Sequence, residues 1–329
     1  MANIRQIAKE AGVSVSTVSR VLNGHPYVSA EKRRAVEDVM AKLNYSRNIN
    51  AVHLFRGRTD MVGIMLPSIN HPYFSRLVEG MSDEALDLGL RLVLCQTGYD
   101  ENEERRALAL VKEKQIDGLI VCSKSLGWSE IAAYRSFGAL LSCGEDAGDR
   151  ISSVYIDHYR SFETGIRHLL SKGHRKIGLC MSRYVSSSSE RRRAAYMDAL
   201  QKIGEPYREA WTFYDCYGIE SGADVMRQLK AMEDRPTAMI VTGDQVAVGM
   251  MAEAGKHGWR VPEDLALMGL DNQPIAEVLG LTTIDNHLYE MGREALRMLR
   301  VAMTGPEGGG EAGIRRQEVV YELIARSSV

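Results

Sequence analysis

Apolar side chains near the amino terminus recur with the period of an α-helix. They lie at i, i+3, i+4 and i+7, which predicts a short first helix with one apolar face: Ile4, Ile7, Ala8 and Ala11. Gly12 supplies the permissive backbone for a sharp turn, and Ser14 is a good N-cap for a second helix. This second helix turns its own apolar side chains back toward the first: Val18, Val21 and Leu22. The pattern therefore predicts helix, four-residue turn, helix.

A third segment with helical period, residues 29–44, completes a three-helix head. Its inner face is formed by Val36, Val39, Met40 and Leu43. Residues 45–60 are polar and basic with a single apolar cluster. They predict a linker that could form one short helix, though not a helix that is stable alone.

After Asp60 short apolar runs alternate with amphipathic helical patterns. The runs predict buried strands at 62–66, 92–95, 118–122, 140–142, 177–181, 239–242 and 265–269. Helical patterns lie at 74–88, 101–114, 161–172 and 190–203. Such regular alternation implies parallel sheets covered by helices on both faces, and its length favours two subdomains over one.

Charge is distributed unevenly along the 329 residues. The formal net charge is only -2, which argues against a protein that binds polyanions over its whole surface. Residues 1–58, however, contain ten lysines and arginines against four acidic residues, a balance of +6, so the remainder carries about -8. A basic head on an acidic body is typical of a nucleic-acid reader joined to a separate sensing module.

The second predicted helix leaves a small, polar and cationic face exposed. Ser16 and Arg20 face outward, with Thr17 and Ser19 on the flanks. Hydroxyls and a guanidinium can reach base edges in a major groove. An ordinary helical hairpin is the alternative, and the basic charge of the head favours the DNA-reading interpretation.

Signatures of enzymes and metal sites are missing from the sequence. The five cysteines lie at least 21 residues apart and the eight histidines are scattered, so neither a metal site nor a redox pair is predicted. There is no nucleophile elbow, no phosphate-binding loop and no dinucleotide fingerprint. We therefore expect no enzymatic activity and no cofactor. The sequence has no apolar leader and no apolar run of membrane-spanning length, so we expect a cytoplasmic protein without membrane contact.

Several short motifs follow one another from the first residues to the last. The head contains Ile7-Ala8-Lys9-Glu10-Ala11-Gly12-Val13-Ser14 and then Thr17-Val18-Ser19-Arg20-Val21-Leu22-Asn23. Further along come Asn70-His71-Pro72-Tyr73-Phe74, Gly173-His174-Arg175-Lys176-Ile177, Gly269-Leu270-Asp271-Asn272 and Leu281-Thr282-Thr283-Ile284. In these motifs the chain resembles the LacI/GalR family of bacterial transcription regulators over its full length.

The resemblance implies an α/β protein in which an N-terminal all-α helix-turn-helix head precedes a periplasmic-binding-protein-like core of two Rossmann-like subdomains. The DNA-binding domain would cover residues 1–46 and a hinge helix or linker residues 47–59. The core N-terminal subdomain would combine 60–157 with 286–314, and the C-terminal subdomain 158–285 with 315–329. A homodimer whose two heads read a pseudo-palindromic double-stranded operator is also implied.

The resemblance assigns base contacts to the second helix. Val15, Ser16 and Arg20 would read bases, and Thr17 lies beside them. Periodicity places Val15 at the edge of the packed face, so core packing is the alternative for that residue. Contacts to phosphates, which position the protein without specifying a sequence, are expected from Asn23, Tyr45, Asn48 and Arg56.

The linker resembles the family's hinge helix. Leu54 matches a leucine that family members wedge into the minor groove, which unstacks a base step and bends the DNA. Ala51 is small enough for two hinge helices to approach each other. Arg47 and Val52 replace the family's usual proline and arginine, so one minor-groove cation is absent.

Two charged residues of the core match the family's effector site. Asp271 follows the strand predicted at 265–269, and Arg192 lies in the family's Arg-x-x-Gly-aromatic pattern, although Ala195 replaces the glycine. Facing each other across a cleft, the two side chains could bracket the vicinal hydroxyls of a sugar. A surface salt bridge between them is the alternative.

Three further residues are candidate effector contacts. Tyr73 and Phe74 follow the first core strand and could form an aromatic wall, with plain core packing as the alternative. Asn286 stands where polar contacts are common in the family. Gly243 stands where relatives commonly carry an asparagine that bonds the effector, so its lack of a side chain could make room for a larger ligand.

These residues favour a sequence-specific repressor of carbohydrate-utilisation genes. A sugar or oligosaccharide bound between the core subdomains would lower operator affinity allosterically. One alternative is a catabolite-control-type regulator with a phosphorylated partner protein as co-effector, docked on Arg297 and Arg300. The other is a member that needs a co-repressor such as a purine.

Overall fold

The computed structural model describes residues 3–22, 24–45, 57–305 and 313–329. The chain forms two compact units, Met1–Arg58 and Thr59–Val329, each with its own hydrophobic core. In the ranges described, no helix has the length and apolar character needed to cross a membrane.

The first unit, the head, contains three short helices, as the apolar period predicts. They are α1 (Ile4–Glu10), α2 (Val15–Leu22) and α3 (Ala30–Lys42). The Ser14 hydroxyl accepts a hydrogen bond from the Thr17 amide at 3.2 Å, so Ser14 caps α2 as expected. Between α1 and α2 lies the predicted turn of four residues, in which Gly12 has a φ of +67°.

The side chains predicted to face inward form the core of the head. Ile7, Ala8, Val18, Val21 and Val36 are buried. Further predicted inward side chains pack around these five and are partly buried: Ile4, Ala11, Leu22, Val39, Met40 and Leu43. Burial of this small cluster holds the three helices together and leaves the opposite face of α2 in solvent.

The second unit consists of two lobes, each built on a parallel sheet. The sheet of the first lobe contains β1 (Met61–Leu66), β2 (Arg91–Gln96), β3 (Gly118–Val121), β4 (Ala139–Gly144), β5 (Ser152–Tyr155) and β11 (Arg316–Glu318). Their order is β2-β1-β3-β4-β5-β11, with every neighbouring pair parallel. The helices of this lobe are α4 (Pro72–Leu88), α5 (Glu101–Lys112), α6 (Trp128–Ala132) and α12 (Leu288–Thr304).

The second lobe repeats this plan with fewer strands. Its main sheet contains β6 (Ile177–Cys180), β7 (Thr212–Phe213), β8 (Ala238–Val241) and β9 (Ala266–Met268) in the order β7-β6-β8-β9. A small antiparallel pair joins β10 (Thr283–Asp285) to β12 (Glu322–Ile324). The helices are α7 (His158–Ser171), α8 (Ser187–Ile203), α9 (Ile219–Ala231), α10 (Asp244–Lys256) and α11 (Pro274–Val278).

All seven predicted strands are present, and the structure adds five that the apolar runs do not reveal. The added strands are β5, β7, β10, β11 and β12, which are two to four residues long. The three residues of β11 are exposed. Each added strand contains at most two apolar side chains, too few to leave an apolar run in the sequence.

The chain passes between the lobes after β5, after β10 and after β11. The first passage lies between β5 and α7, and the second between β10 and α12. The third is displaced from the predicted boundary at 314, because Arg316–Glu318 still pairs with β5 of the first lobe. Pairing with the open edge of β5 keeps these residues in the first sheet, whereas the predicted boundary assigned them to the second subdomain.

Helices α4 and α12 pack closely in the first lobe. A Cβ at Gly80 or Gly292 would collide with the backbone of the facing helix, so glycine permits their approach. The buried Glu84 carboxylate accepts hydrogen bonds from Arg293 at 2.8 Å and Arg297 at 2.9 Å. Arg297 therefore pairs with Glu84 in its own lobe while 48% of its side-chain surface stays exposed, so the docking face for a phosphorylated partner stays a prediction.

Candidate DNA-reading helix and effector cleft

The outer face of α2 presents the three predicted base readers. Val15 is 43% exposed, which excludes its alternative interpretation as a core residue, and Ser16 and Arg20 are exposed beside it. In the part of the head that the structure describes, the Arg20 guanidinium makes no ion pair. An apolar group, a hydroxyl and a free cation on one exposed face match the chemistry of base edges and phosphates.

Two other predicted DNA contacts are less open to solvent. Thr17 is half-buried, and its hydroxyl shares a 2.9 Å hydrogen bond with the Ser14 hydroxyl, so it stabilises the start of α2. Tyr45 is half-buried and packs against the core of the head. The remaining predicted contacts lie outside the described residues: Asn23, Asn48, Ala51, Leu54 and Arg56.

A cavity of about 300 Å³ lies where the two lobes face each other. In each sheet the strand order reverses beside the first strand, between β1 and β3 and between β6 and β8. Residues that follow these four strands line the cavity: Pro67, Cys122, Ser182 and Thr242. Parallel sheets bind ligands at the carboxyl ends of strands next to such a reversal, and here the two reversals share one cavity.

Four of the five predicted effector residues line this cavity: Tyr73, Phe74, Arg192 and Asp271. Tyr73 and Phe74 lie edge to face, with ring centroids 5.1 Å apart. Phe74 is only 7% exposed and belongs to the core of the first lobe. Tyr73 and Phe74 therefore both line the cavity, as the aromatic wall requires. Phe74 also packs in the core, as the alternative requires, and its ring contacts that of Tyr73.

Arg192 is fixed by a histidine that the sequence reading missed. Its guanidinium donates to His158 Nδ1 at 3.3 Å, and His158 Nε2 donates to the Gly144 carbonyl of the first lobe at 3.1 Å. Burial and the neighbouring guanidinium hold the pKa of His158 well below its usual value, so the ring is neutral. His158 thus orients Arg192 and joins the two lobes; its position directly after the N-cap Asp157 carries no separate signal in the sequence.

Gly144 is required on the first-lobe side of the cavity. Its φ of +111° lies in the region that favours glycine. A Cβ there would approach the Tyr73 hydroxyl to 2.8 Å. Glycine at position 144 therefore lets the Tyr73 hydroxyl approach the backbone of β4 closely.

Asp271 lies in a tight loop after β9. Its backbone has a φ of +94°, an unfavourable value for a residue with a side chain, and its carboxylate accepts a 2.9 Å hydrogen bond from the Asn286 amide. Burial raises the pKa of Asp271, while Arg192 and Asn286 oppose that rise. Arg192 bonds His158 instead of Asp271, so the two charges face the cavity as separate groups and not as the predicted alternative, a surface salt bridge.

Asn286 is not a direct contact of the cavity. Its side chain is buried, with 1% of its surface exposed. It donates to Asp271 and accepts a 3.1 Å hydrogen bond from the Ser161 hydroxyl. The predicted effector contact is therefore corrected to a residue that holds Asp271 in place, since both ends of its amide are already bonded.

Asp244 stabilises the same loop through hydrogen bonds. Its buried carboxylate accepts hydrogen bonds from the backbone N–H of Gln273 at 2.6 Å and from the Thr283 hydroxyl at 2.7 Å. Burial and the nearby Asp271 carboxylate raise the pKa of Asp244 to about 7. Gly243 immediately precedes Asp244 and has open space where a Cβ would lie, so its backbone does not demand glycine.

Further cavity residues were not predicted, among them Tyr99, Arg183 and Tyr217. Each of these three lies in a loop after a strand of one lobe, and such loops carry no periodic signal.

Two pairs of cysteines lie close together in the fold. Cys122 and Cys143 lie side by side on neighbouring parallel strands, and the thiols of Cys180 and Cys216 lie within hydrogen-bonding distance; all five cysteines are free thiols.

Comparison with known proteins agrees with this arrangement. A family described as bacterial regulatory proteins, lacI family, matches residues 3–48, and a periplasmic binding protein-like domain matches residues 166–329. The HTH-type transcriptional regulator YkvZ of Bacillus subtilis (strain 168) is 41% identical over 329 residues, all of both chains.

Two solved structures resemble the chain along nearly its whole length. The lac repressor dimer bound to operator and the anti-inducer ONPF has a TM-score of 0.82 and 25% identity, covering 99% of this chain and 98% of that one. The transcriptional regulator CelR in complex with cellobiose has a TM-score of 0.71 and 25% identity, with complete coverage of both. The chain belongs to the LacI family of bacterial transcriptional regulators, whose members are DNA-binding proteins and not enzymes.

Proposed function

We propose that this regulator is a repressor of carbohydrate-utilisation genes and that a small sugar or oligosaccharide in the cleft lowers its operator affinity. The observation that carries the proposal is the separated pair Arg192 and Asp271, both buried and both facing one cavity beside the Tyr73 ring. A guanidinium and a carboxylate offer directional donors and acceptors to vicinal hydroxyls, and the aromatic ring offers an apolar face. The structure of CelR with cellobiose supports the choice of ligand class.

The head supplies the DNA-binding half of this function. We propose that Val15, Ser16 and Arg20 read bases, that Thr17, Asn23, Tyr45, Asn48 and Arg56 position the head, and that Ala51 and Leu54 act in the hinge of residues 47–59. The exposed face of α2 supports the first assignment. The lac repressor dimer on its operator supports a homodimer on a pseudo-palindromic site.

Ligand binding can be tested with a thermal-shift screen of neutral mono- and oligosaccharides, with purine bases as a comparison arm. A ligand that binds only the folded protein stabilises it by an amount that grows with the logarithm of the ligand concentration relative to Kd, and so raises Tm. We expect a sugar to raise the Tm of the wild type, and Asp271→Ala to lose that rise because one of the two bracketing groups is removed.

Asp198→Ala is the matched control, since Asp198 is an exposed aspartate of the second lobe that bonds the Tyr159 hydroxyl at 2.7 Å. It should respond to the sugar as the wild type does. A shift with purines alone would replace the sugar-responsive function by a co-repressor type. An undiminished shift in Asp271→Ala would remove Asp271 from the site.

A further inference from the structure

Two side chains from opposite lobes stack on each other across the effector cavity. The guanidinium carbon of Arg183 lies 3.7 Å from the centroid of the Tyr99 ring. Tyr99 belongs to the loop between β2 and α5 of the first lobe, and Arg183 follows β6 of the second. Both residues line the cavity, so their contact spans the space that a ligand must enter.

Tyr99 is held in one orientation by its surroundings. Its hydroxyl accepts a hydrogen bond from the Ser123 hydroxyl at 3.2 Å, and its carbonyl oxygen accepts one from the Ser125 hydroxyl at 3.0 Å. Its amide donates to the Thr97 hydroxyl at 3.3 Å. The backbone has a φ of +65°, which a residue with a side chain adopts only when neighbours impose it. The ring is therefore a fixed platform.

Within the part of the chain that the structure describes, no carboxylate pairs with the Arg183 guanidinium that stacks on this ring. Arg183 is half-buried. Tyr217 of the second lobe lies nearby: burial raises the pKa of its phenol, and the Arg183 charge opposes that rise. A guanidinium over an aromatic face is attracted to the ring electrons, and more strongly where water is partly excluded.

We propose that Arg183 and Tyr99 form a latch across the cleft that holds the lobes together and determines which ligands can close it. While the latch is shut, the guanidinium covers the Tyr99 face, so a sugar ring can stack there only after Arg183 has moved. A small ligand fits beneath the shut latch, and a longer one must displace it. This consequence for ligands rests on the proposed function, but the latch itself can be tested without any ligand.

Cys122 provides the reporter, because this residue lines the same cavity and is 6% exposed. Full-length protein is pulsed with iodoacetamide, and the alkylation of each cysteine is followed by mass spectrometry. If the latch holds the cleft shut, Arg183→Ala should raise the alkylation rate at Cys122 by about 2- to 30-fold, the range expected for loss of one cation–π contact. Tyr99→Ala should give the same increase, and the double variant should add little because both remove one interaction.

Arg193→Ala is the matched control, since Arg193 stacks on Tyr184 at 4.9 Å entirely within the second lobe. It should leave the Cys122 rate unchanged. An unchanged rate in Arg183→Ala, or an equal rise in the control, would overturn the latch. If the buried Cys143 and Cys180 react as fast as Cys122, the variant has unfolded. In that case the test is made with Arg183→Lys, which keeps the positive charge but loses the planar stacking group. The latch requires that this variant raise the alkylation rate at Cys122 and at no other cysteine.

The outcome is separable from that of the proposed function. If the wild type binds no sugar while Arg183→Ala still raises the alkylation rate at Cys122, the latch is supported and the proposed ligand class is wrong. If sugar binds and Cys122 reacts equally in both proteins, the effector site stands and the latch is wrong.

Discussion

At the scale of single residues, the cleft depends on side chains that hold other side chains. Asp271 has an unfavourable backbone conformation, and its carboxylate is oriented by the Asn286 amide. Arg192 is oriented by His158, which also bonds a carbonyl of the other lobe. The groups offered to a ligand are therefore arranged before it arrives, which reduces the entropy that binding costs.

Removing the Asn286 amide should weaken the effector without touching the head. Asn286→Ala leaves Asp271 without the hydrogen bond that orients it, and loss of one bond to a charged group corresponds to about 1.5–3 kcal/mol. We expect affinity for the sugar found in the thermal-shift screen to fall at least tenfold by calorimetry, while operator affinity without sugar stays at the wild-type value. Ser161→Ala, which removes only the other partner of Asn286, should have a smaller effect; a larger effect would show that Asn286 acts in another way.

At the scale of secondary-structure elements, the second lobe includes a charge cluster around one buried carboxylate, whose basic partners are partly or largely exposed. Glu253 of α10 is 6% exposed and bonds Arg227 of α9 at 3.0 Å, Lys256 at 3.1 Å and His257 at 3.2 Å. The hydrogen bond from Arg227 is the main cause that lowers the pKa of Glu253 to about 2. The cluster ties α9 to α10, and α10 begins at the aspartate that supports the Asp271 loop.

This pKa predicts how stability changes in acid. A carboxylate whose pKa is lower in the folded state stabilises the fold fully above its unfolded value, near 4.5, and loses that contribution as pH falls toward 2. Glu253→Gln should therefore be less stable than the wild type in chemical denaturation at pH 6, and the gap should narrow steadily below pH 4.5. A gap that is constant from pH 6 to pH 3 would mean that the charge of Glu253 does not stabilise the fold.

The elements also show what the sequence could reveal about this fold. Helices α1 to α3 could be predicted because burial of one face imposes a period on the chain, and seven strands because each lies in a continuous apolar run. Strands β5 and β11 could not, since their backbone pairing buries few apolar side chains, and the third passage between the lobes was misplaced for that reason. In the site, Arg192 and Asp271 could be predicted because they lie in recognisable motifs. His158, Tyr99 and Arg183 lie in no such motif, and only the fold brings them to the cavity.

At the scale of the whole molecule, the two units differ in net charge and in architecture. The basic head presents the exposed face of α2, and the acidic second unit encloses a cavity at two strand-order reversals. The proposed function is a coupling between two sites: ligand in the cleft and DNA at the head would each change the affinity for the other by the same factor. Operator binding by the head should also weaken steeply as salt is raised.

The measurement that tests the central claim most directly is operator affinity with and without the sugar identified by thermal shift. The operator is a duplex selected from a random pool by the wild-type protein, and two variants accompany the wild type. We predict that saturating sugar weakens wild-type binding about 5- to 150-fold, that Asp271→Ala binds the duplex normally but does not respond, and that Arg20→Ala binds the duplex poorly while retaining the sugar-induced rise in Tm. Wild-type operator affinity that is unchanged or increased by the bound sugar would contradict the account.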